Sequence, residues 1–267
     1  MKKTKVIIPA LGILLLSTAA SVTGTVAWFS ATSTVSATGM QVQAKAETGI
    51  VIANQTGSGA VYKESIASLK TSVAQLYPGS TADLNSWYHS TSSDTTLPNT
   101  GAAYTTGTAW ESNDNPGNYV VHEFYIRASA AAAIAVTSLN VKNVSVKVGE
   151  NAPSQELSKA LRVGVRFGNY AADGNKYIYA PVSGGEASYT TNGGAVTAST
   201  TPVAATEATW SKDTKVNSIP GNTDDGVHVF VFVWFEGEDK ACVSKNILSS
   251  LEAISVELQF CISKATA

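Results

Sequence analysis

The stretch Val227-His228-Val229-Phe230-Val231-Phe232-Val233-Trp234-Phe235 decides the fold. Apart from His228 it is wholly β-branched or aromatic, a composition that suits a pleated, extended chain. Val227, Val229, Val231, Val233 and Phe235 line one face; Phe230, Phe232 and Trp234 line the other. A strand apolar on both faces is expected at the centre of a sheet that is covered on both sides. Working outward, residues 254–262 alternate. Ile254, Val256, Leu258, Phe260 and Ile262 point one way, and Ser255, Glu257, Gln259 and Cys261 the other, as in a half-buried strand. Tyr119–Arg127 alternates in the same manner, with Val120, His122, Phe124 and Ile126 opposed to Val121, Glu123 and Tyr125.

The remaining segments extend this pattern. Residues 134–148 carry Ile134, Val136, Leu139, Val141, Val144, Val146 and Val148. Ala130–Ala133 suits a helix on propensity, but its β-branched continuation argues for a strand. Leu161–Phe167 and Tyr177–Val182 read as a hairpin around Asp173-Gly174. Residues 40–46 alternate, and Ile50-Val51-Ile52 precedes a Gly/Ser turn at 57–59. Residues 62–77 have helical spacing instead, with Tyr62, Ile66, Leu69, Val73 and Leu76 on one stripe and Pro78-Gly79 as the stop. Ser154 can cap a short helix through Ala160. Residues 88–118 and 183–226 are rich in Ser, Thr, Asn and Gly and read as long surface loops. With no internal repeat and no second hydrophobic core in view, the expected fold is all-β: a single jelly-roll-like β-sandwich over residues 40–267, with long loops and one or two short helices.

Composition narrows the function. Of 267 residues, 44% are hydrophobic and only 14% charged, and the formal net charge is −2. Soluble chains carry about 25% charged residues, so Ser, Thr, Asn, Gln and Gly must cover this surface. Nucleic acid is not an expected partner, because phosphate binding needs a basic face. Two cysteines exclude a disulfide-dense scaffold and a four-thiolate zinc site.

The first residues set the compartment. Lys2, Lys3 and Lys5 form a positive region, Val6–Leu16 is apolar apart from Pro9 and Gly12, and small and polar residues follow from Ser17 to Thr25. This is the order of a signal peptide over residues 1–27. A spanning helix wants about 20 apolar residues, and Ser17, Thr18, Ser21, Thr23, Gly24 and Thr25 interrupt this run; a membrane anchor is the lesser reading. Cleavage is expected between Ala27 and Trp28, with Ala20 as a second site. The chain is then secreted, meeting the membrane only through the uncleaved leader. Losing three lysines takes the net charge from −2 to −2 − 3 = −5.

Several motifs are weighed and declined. Leu97-Pro98-Asn99-Thr100-Gly101 matches a surface-sorting signal, yet the core strands follow it, where an apolar stretch and basic tail belong. His122 and His228 lie within strands and are possible neighbours, but with His89 they complete no zinc-ligand set. Glu236, Glu238 and Asp239 are close enough to bind Ca²⁺; a solvated strand-end turn is the plainer reading. No metal, cofactor or catalytic group is assigned, and the chain is not expected to be an enzyme. Trp87, Tyr88, Tyr104 and Trp110 are candidates for stacking on sugars, with loop-anchoring aromatics as the alternative. Cys242 follows one apolar strand and Cys261 lies in another. The two strands are expected to share a sheet, and a Cys242–Cys261 disulfide is expected, worth about 3 kcal/mol in the chain-entropy model; two free thiols is the alternative.

Gly24-Thr25-Val26-Ala27-Trp28-Phe29-Ser30, followed by a first strand over Val35–Ala46, resembles the leader junction of the camelysin/TasA-like secreted proteins. The match covers this junction and little more. Val233-Trp234-Phe235-Glu236-Gly237-Glu238-Asp239 with Cys242 is also similar to surface proteins of gut Clostridia. The resemblance implies export through a dedicated signal peptidase and, for the TasA branch, polymerisation of a secreted jelly roll into matrix fibres. There the freed N-terminal segment pairs with the sheet of the next copy. Camelysin has been classed as a metalloprotease, but no ligand set here supports that activity.

Two functions follow as expectations. One is a structural subunit of an extracellular or cell-surface fibre or biofilm matrix, polymerising with other copies of itself by donor-strand exchange. The donated segment is 28–39, with Trp28, Phe29, Val35 and Ala37 as its apolar residues. It holds no charge and no proline, and Trp28 and Phe29 are awkward in water. Folding back as an edge strand of its own subunit is the competing arrangement. The other function is a surface carbohydrate-binding module or adhesin.

Overall fold

The computed structural model describes residues 40–69, 76, 78–82, 84, 86–89, 102–105, 119–148, 155–167, 176–182, 188–191, 194–197, 218–237, 239, 241–242 and 254–264. In chain order the strands are β1 (Val42–Ala46), β2 (Ile50–Ala53), β3 (Ser65–Ala67), β4 (Gly79–Ser80), β5 (Ser86–His89), β6 (Ala102–Thr105), β7 (Val120–Ala128) and β8 (Ile134–Val148). They continue with β9 (Leu161–Phe167), β10 (Lys176–Tyr179), β11 (Ser188–Thr191), β12 (Gly194–Thr197), β13 (Ser218–Ile219), β14 (Val227–Phe235) and β15 (Ile254–Lys264). The fold is all-β. Helical structure among the described residues is limited to the turn Gln155–Ser158, inside the expected 154–160 segment, and a 3₁₀ turn at Gly57–Gly59.

Two five-stranded sheets form the sandwich, in the orders β13-β8-β15-β1-β3 and β10-β9-β14-β7-β2. The apolar rows of both meet in one core. Val42, Leu139, Val141, Val256, Leu258 and Phe260 come from the first sheet; Ile52, Phe124, Ile126, Val163, Val165, Val231 and Val233 come from the second. Phe167 and Phe260 touch across it with centroids 6.0 Å apart. β14 holds the centre of its sheet, antiparallel to β7 on one side and β9 on the other. β7 alternates buried and half-buried residues without a break. β1 runs parallel to β15, a pairing that an all-antiparallel jelly roll lacks. On β8 the partners step from Asn143 to Val141 opposite Gln259 and Phe260, so Lys142 is a bulge residue.

A third layer covers part of the second sheet. β4, β5 and β6 form a three-stranded sheet, and Leu84 and Trp87 from this region pack with Tyr119 on Phe230, Phe232 and Trp234. Trp87 stacks on Tyr119 at 4.2 Å and meets Trp234 edge-on at 5.2 Å. The expectation of no second hydrophobic core is thereby corrected: the outward face of β14 has an aromatic core of its own. β9 is buried at every position because it lies under the sandwich on one face and this layer on the other.

Three further expectations are corrected. The helix over 62–77 is not formed in its first half: Ser65–Ala67 is a strand paired to β1, with Ala67 opposite Gln43 and Ser65 opposite Lys45. Ser68 locks the pairing, since its N–H donates to the Val42 carbonyl at 2.8 Å and its hydroxyl accepts from the Val42 N–H at 2.9 Å. Leu69, placed on the helical stripe, is 61% exposed. An edge that offers backbone partners outweighs a weak apolar period. The loop over 88–118 contains β6 and the end of β5, paired through Trp87 and Tyr104. The loop over 183–226 contains the β11–β12 hairpin and β13.

Candidate functional site

Met40, the first described residue, is buried. β1 follows directly and has a neighbour on each side, β15 and β3. The residues expected to be cut or donated, Ala27, Trp28, Phe29, Val35 and Ala37, lie outside the described residues, as do Ala20, Trp110 and Leu97–Gly101.

The turn after β14 is an internal anchor. Asp239 makes a buried ion pair with Arg162 at 2.6 Å, and its second oxygen accepts the Ala241 N–H at 2.8 Å. The Arg162 guanidinium also donates to the carbonyls of Lys159 and Leu161. Glu236, fully buried, accepts from the Trp234 indole N–H at 3.1 Å. Its neighbour Gly237 donates to the Gly79 carbonyl, tying the turn to the third layer. Glu236 and Asp239 are therefore not part of a solvated turn. Their charge is directed inward at Arg162 and Trp234; Glu238 lies outside the described residues. Among the described residues no group of three or more His, Cys, Asp or Glu side chains is placed to hold a metal ion.

His122 and His228 are not neighbours. His122 sits on the inner face of β7, opposite Val231, and His228 on the outer face of β14, opposite Tyr125. Burial holds the His122 imidazole down at about 4, partly offset by a hydrogen bond to the Leu69 backbone. Its Nε2 is buried with no hydrogen-bond partner among the described residues.

His228 belongs to a half-exposed cluster on the outward face, beyond the third layer. Its ring stacks on Tyr125 at 4.4 Å, and its Nε2 is 2.9 Å from Glu123. The Tyr125 hydroxyl donates to the same carboxylate oxygen at 3.1 Å. The hydrogen bond from His228 lowers the Glu123 pKa against the opposing effect of burial. Burial and the Glu123 charge raise that of Tyr125. Alongside, the Arg127 guanidinium lies 3.4 Å from the Tyr62 ring centre and donates to the Asp224 carbonyl; the Tyr62 hydroxyl donates to the Asp225 carbonyl. These groups mostly satisfy one another and pin the 221–226 turn to β7.

Of the aromatics considered for sugar stacking, Trp87 is fully buried and presents no face to a ligand. Tyr88 and Tyr104 lie on β5 and β6. The expected Cys242–Cys261 bridge is corrected, because both thiols are free and buried. The strands beside them do not share a sheet: β14, which Cys242 follows, is in one, and β15, which holds Cys261, is in the other. Burial raises both thiol pKa values, that of Cys261 to about 11.

Sequence reading missed Arg162, Arg166 and the Tyr62–Arg127 pair. Arg162 and Arg166 stand on the outward face of β9, both buried, and Arg162 is held there by Asp239, a residue distant in sequence. The chain matches no family model, no curated protein and no solved structure. Among the described residues no helix is long and apolar enough to cross a membrane.

Proposed function

We propose that this chain is a secreted, cell-surface-associated structural subunit that polymerises with copies of itself into an extracellular fibre or biofilm matrix. In this reading a dedicated signal peptidase removes residues 1–27, and the freed segment Trp28–Ala37 is donated to the sheet of the next copy. The observation that carries the reading is the pairing of β1, the first of the described strands. It is flanked on both sides by β15 and β3, so the uncharged segment ahead of it in the sequence is not needed to complete that ladder. Trp28 and Phe29 then gain by burial elsewhere; two such rings bury roughly 300–500 Å². The low-charge surface and the all-β body suit a polymer held by strand pairing. No catalytic residue or cofactor is assigned. The carbohydrate-binding reading is weakened by the burial of Trp87.

Negative-stain microscopy of the mature protein, residues 28–267, tests the proposal. Fibres are expected. Folded monomers at high concentration, with residues 28–38 present and the leader removed, overturn it.

A further inference from the structure

We infer that Asp225, followed by Gly226 in the turn that leads into β14, is a modification site at which the folded chain converts its own aspartate to isoaspartate through a succinimide. The inference does not rest on the fibre reading. In the first step the Gly226 amide nitrogen attacks the Asp225 side-chain carboxyl carbon. A C–N bond forms, and one carboxyl oxygen leaves as water. In the second step water opens the five-membered ring. Opening at the side-chain carbonyl restores aspartate. Opening at the main-chain carbonyl leaves isoaspartate, whose chain runs through the side-chain methylene and whose main-chain carbonyl has become a free carboxylate. The water lost in the first step is regained in the second, and no oxidant, metal or second protein is needed.

The geometry of the turn leaves this route open. Asp225 is exposed. Its carboxylate is held by a single long contact, in which Oδ1 accepts the Gly57 N–H at 3.4 Å, at the weak end of hydrogen-bond distances. Such a carboxylate is free to turn towards the nitrogen of the next residue. Asp239 is the opposite case: buried, 2.6 Å from Arg162 and bonded to the Ala241 N–H. The residue after Asp225 is also fixed as glycine. Gly226 has φ 93°, a conformation that favours glycine, and a Cβ there would lie 2.6 Å from the Ile126 carbonyl oxygen. With no side chain, the attacking nitrogen is unhindered. The backbone therefore imposes the reactive pair. Asp224, equally exposed, is followed by Asp225, whose side chain crowds the nitrogen. Asp173-Gly174 is the same pair but lies outside the described residues.

Isomerisation alters how the turn is held. The Asp225 carbonyl accepts the Tyr62 hydroxyl, and its carboxylate accepts the Gly57 N–H. In the product these roles are exchanged: the acceptor facing Tyr62 is a free carboxylate, and the former side-chain carbonyl belongs to the main chain. One extra methylene stands between the Asp225 Cα and Gly226. The contact between residues 57–62 and the turn is the part that loosens. β14, paired to β7 and β9 from Val229 to Val233, keeps its register.

The test ages the purified protein at neutral pH and 37 °C for several weeks, folded in buffer and unfolded in guanidinium chloride. Isoaspartate is then read at each aspartate by peptide mapping, as a chromatographically separate peptide of unchanged mass, and by enzymatic isoaspartyl methylation. In the folded protein, isoaspartate at Asp225 is expected at least tenfold above that at Asp224 and Asp239, and its rate within tenfold of the unfolded chain. Equal levels at Asp224 and Asp225, or a folded rate more than tenfold below the unfolded one, overturn the inference. Asp225→Glu is expected to abolish the signal in that peptide, because the larger ring closes slowly; a persisting signal overturns the assignment to Asp225. Hydrogen exchange reads the consequence. The isomerised fraction is expected to exchange its amides over 57–62 at least threefold faster than fresh protein, with 229–233 unchanged. Unchanged exchange over 57–62 overturns the loosening.

Discussion

Leu84 occupies the space that a side chain at Gly164 needs. A Cβ built on Gly164 lies 2.6 Å from Leu84 Cδ2 and 3.1 Å from Trp234 Cζ3. Leu84 itself takes a left-handed backbone, with φ 57°, which is costly for a residue with a Cβ. Its N–H is held by the Thr81 hydroxyl at 2.9 Å. The third layer is thus seated by a leucine in a strained turn set over a glycine in the middle of β9.

Gly164→Val is expected to destabilise the protein by about 1–3 kcal/mol through overpacking, although valine favours strands and glycine does not. Leu84→Ala in the same chain should recover part of the loss. Urea unfolding of the two single variants and the double variant checks this; strictly additive losses refute the contact.

The Arg162–Asp239 pair predicts a sharper asymmetry. Removing one partner, as in Asp239→Leu, leaves a buried charge and is expected to cost about 3–5 kcal/mol, whereas Arg162→Leu with Asp239→Leu costs less than either change alone. Thermal unfolding of the three variants decides. A double variant as unstable as the sum of the singles contradicts the pairing.

His122 predicts an acid limb. Its folded-state pKa is depressed to about 4 from 6.5, so above pH 6.5 both folded and unfolded forms are neutral and stability is complete. As pH falls from 6.5 towards 4, the unfolded chain takes up a proton that the folded one refuses. About 3 kcal/mol of stability is lost over that window. His122→Leu should flatten the slope between pH 7 and 4.5 in urea titrations. A variant with the wild-type slope places the acid sensitivity elsewhere.

The cysteines predict silence. With both thiols buried and both pKa values raised, iodoacetamide at pH 8 is expected to leave the folded protein unmodified and to alkylate Cys242 and Cys261 in denaturant without reductant. A chain that needs reductant before it is modified is bridged, and the free-thiol arrangement fails.

The strands that the sequence reveals are those whose two faces differ in a regular way. β7, β14 and β15 were readable to within a residue or two because alternation reports directly on which side meets the core. β3 was not, because three residues held by backbone bonds to β1 and by Ser68 leave no periodic mark, while Tyr62, Ile66 and Leu69 imitate a helix. The third layer was hidden for another reason. Phe230, Phe232 and Trp234 announced a second covered face, but the covering residues Leu84, Trp87 and Tyr119 stand in or beside segments rich in Ser, Thr and Asn, where composition argues for loops. The ion pair between Arg162 and Asp239 joins residues 77 positions apart, and no local pattern signals it. The disulfide expectation failed on topology: two strands close in sequence were assigned to one sheet, and the chain places them in opposite sheets.

The position of β15 has a consequence for how the molecule is made. β8 and β1 flank it in the sheet, and it is the last of the described strands to be synthesised. Until it arrives, the first sheet lacks its middle, and the inner row of β14 has little to close against. Folding therefore waits on contacts between distant parts of the chain, which places it among slow-folding, high-contact-order proteins. The inner row of β14 stays uncovered until β15 joins β8 and β1, which makes β15 the strand whose docking commits the two sheets to one another.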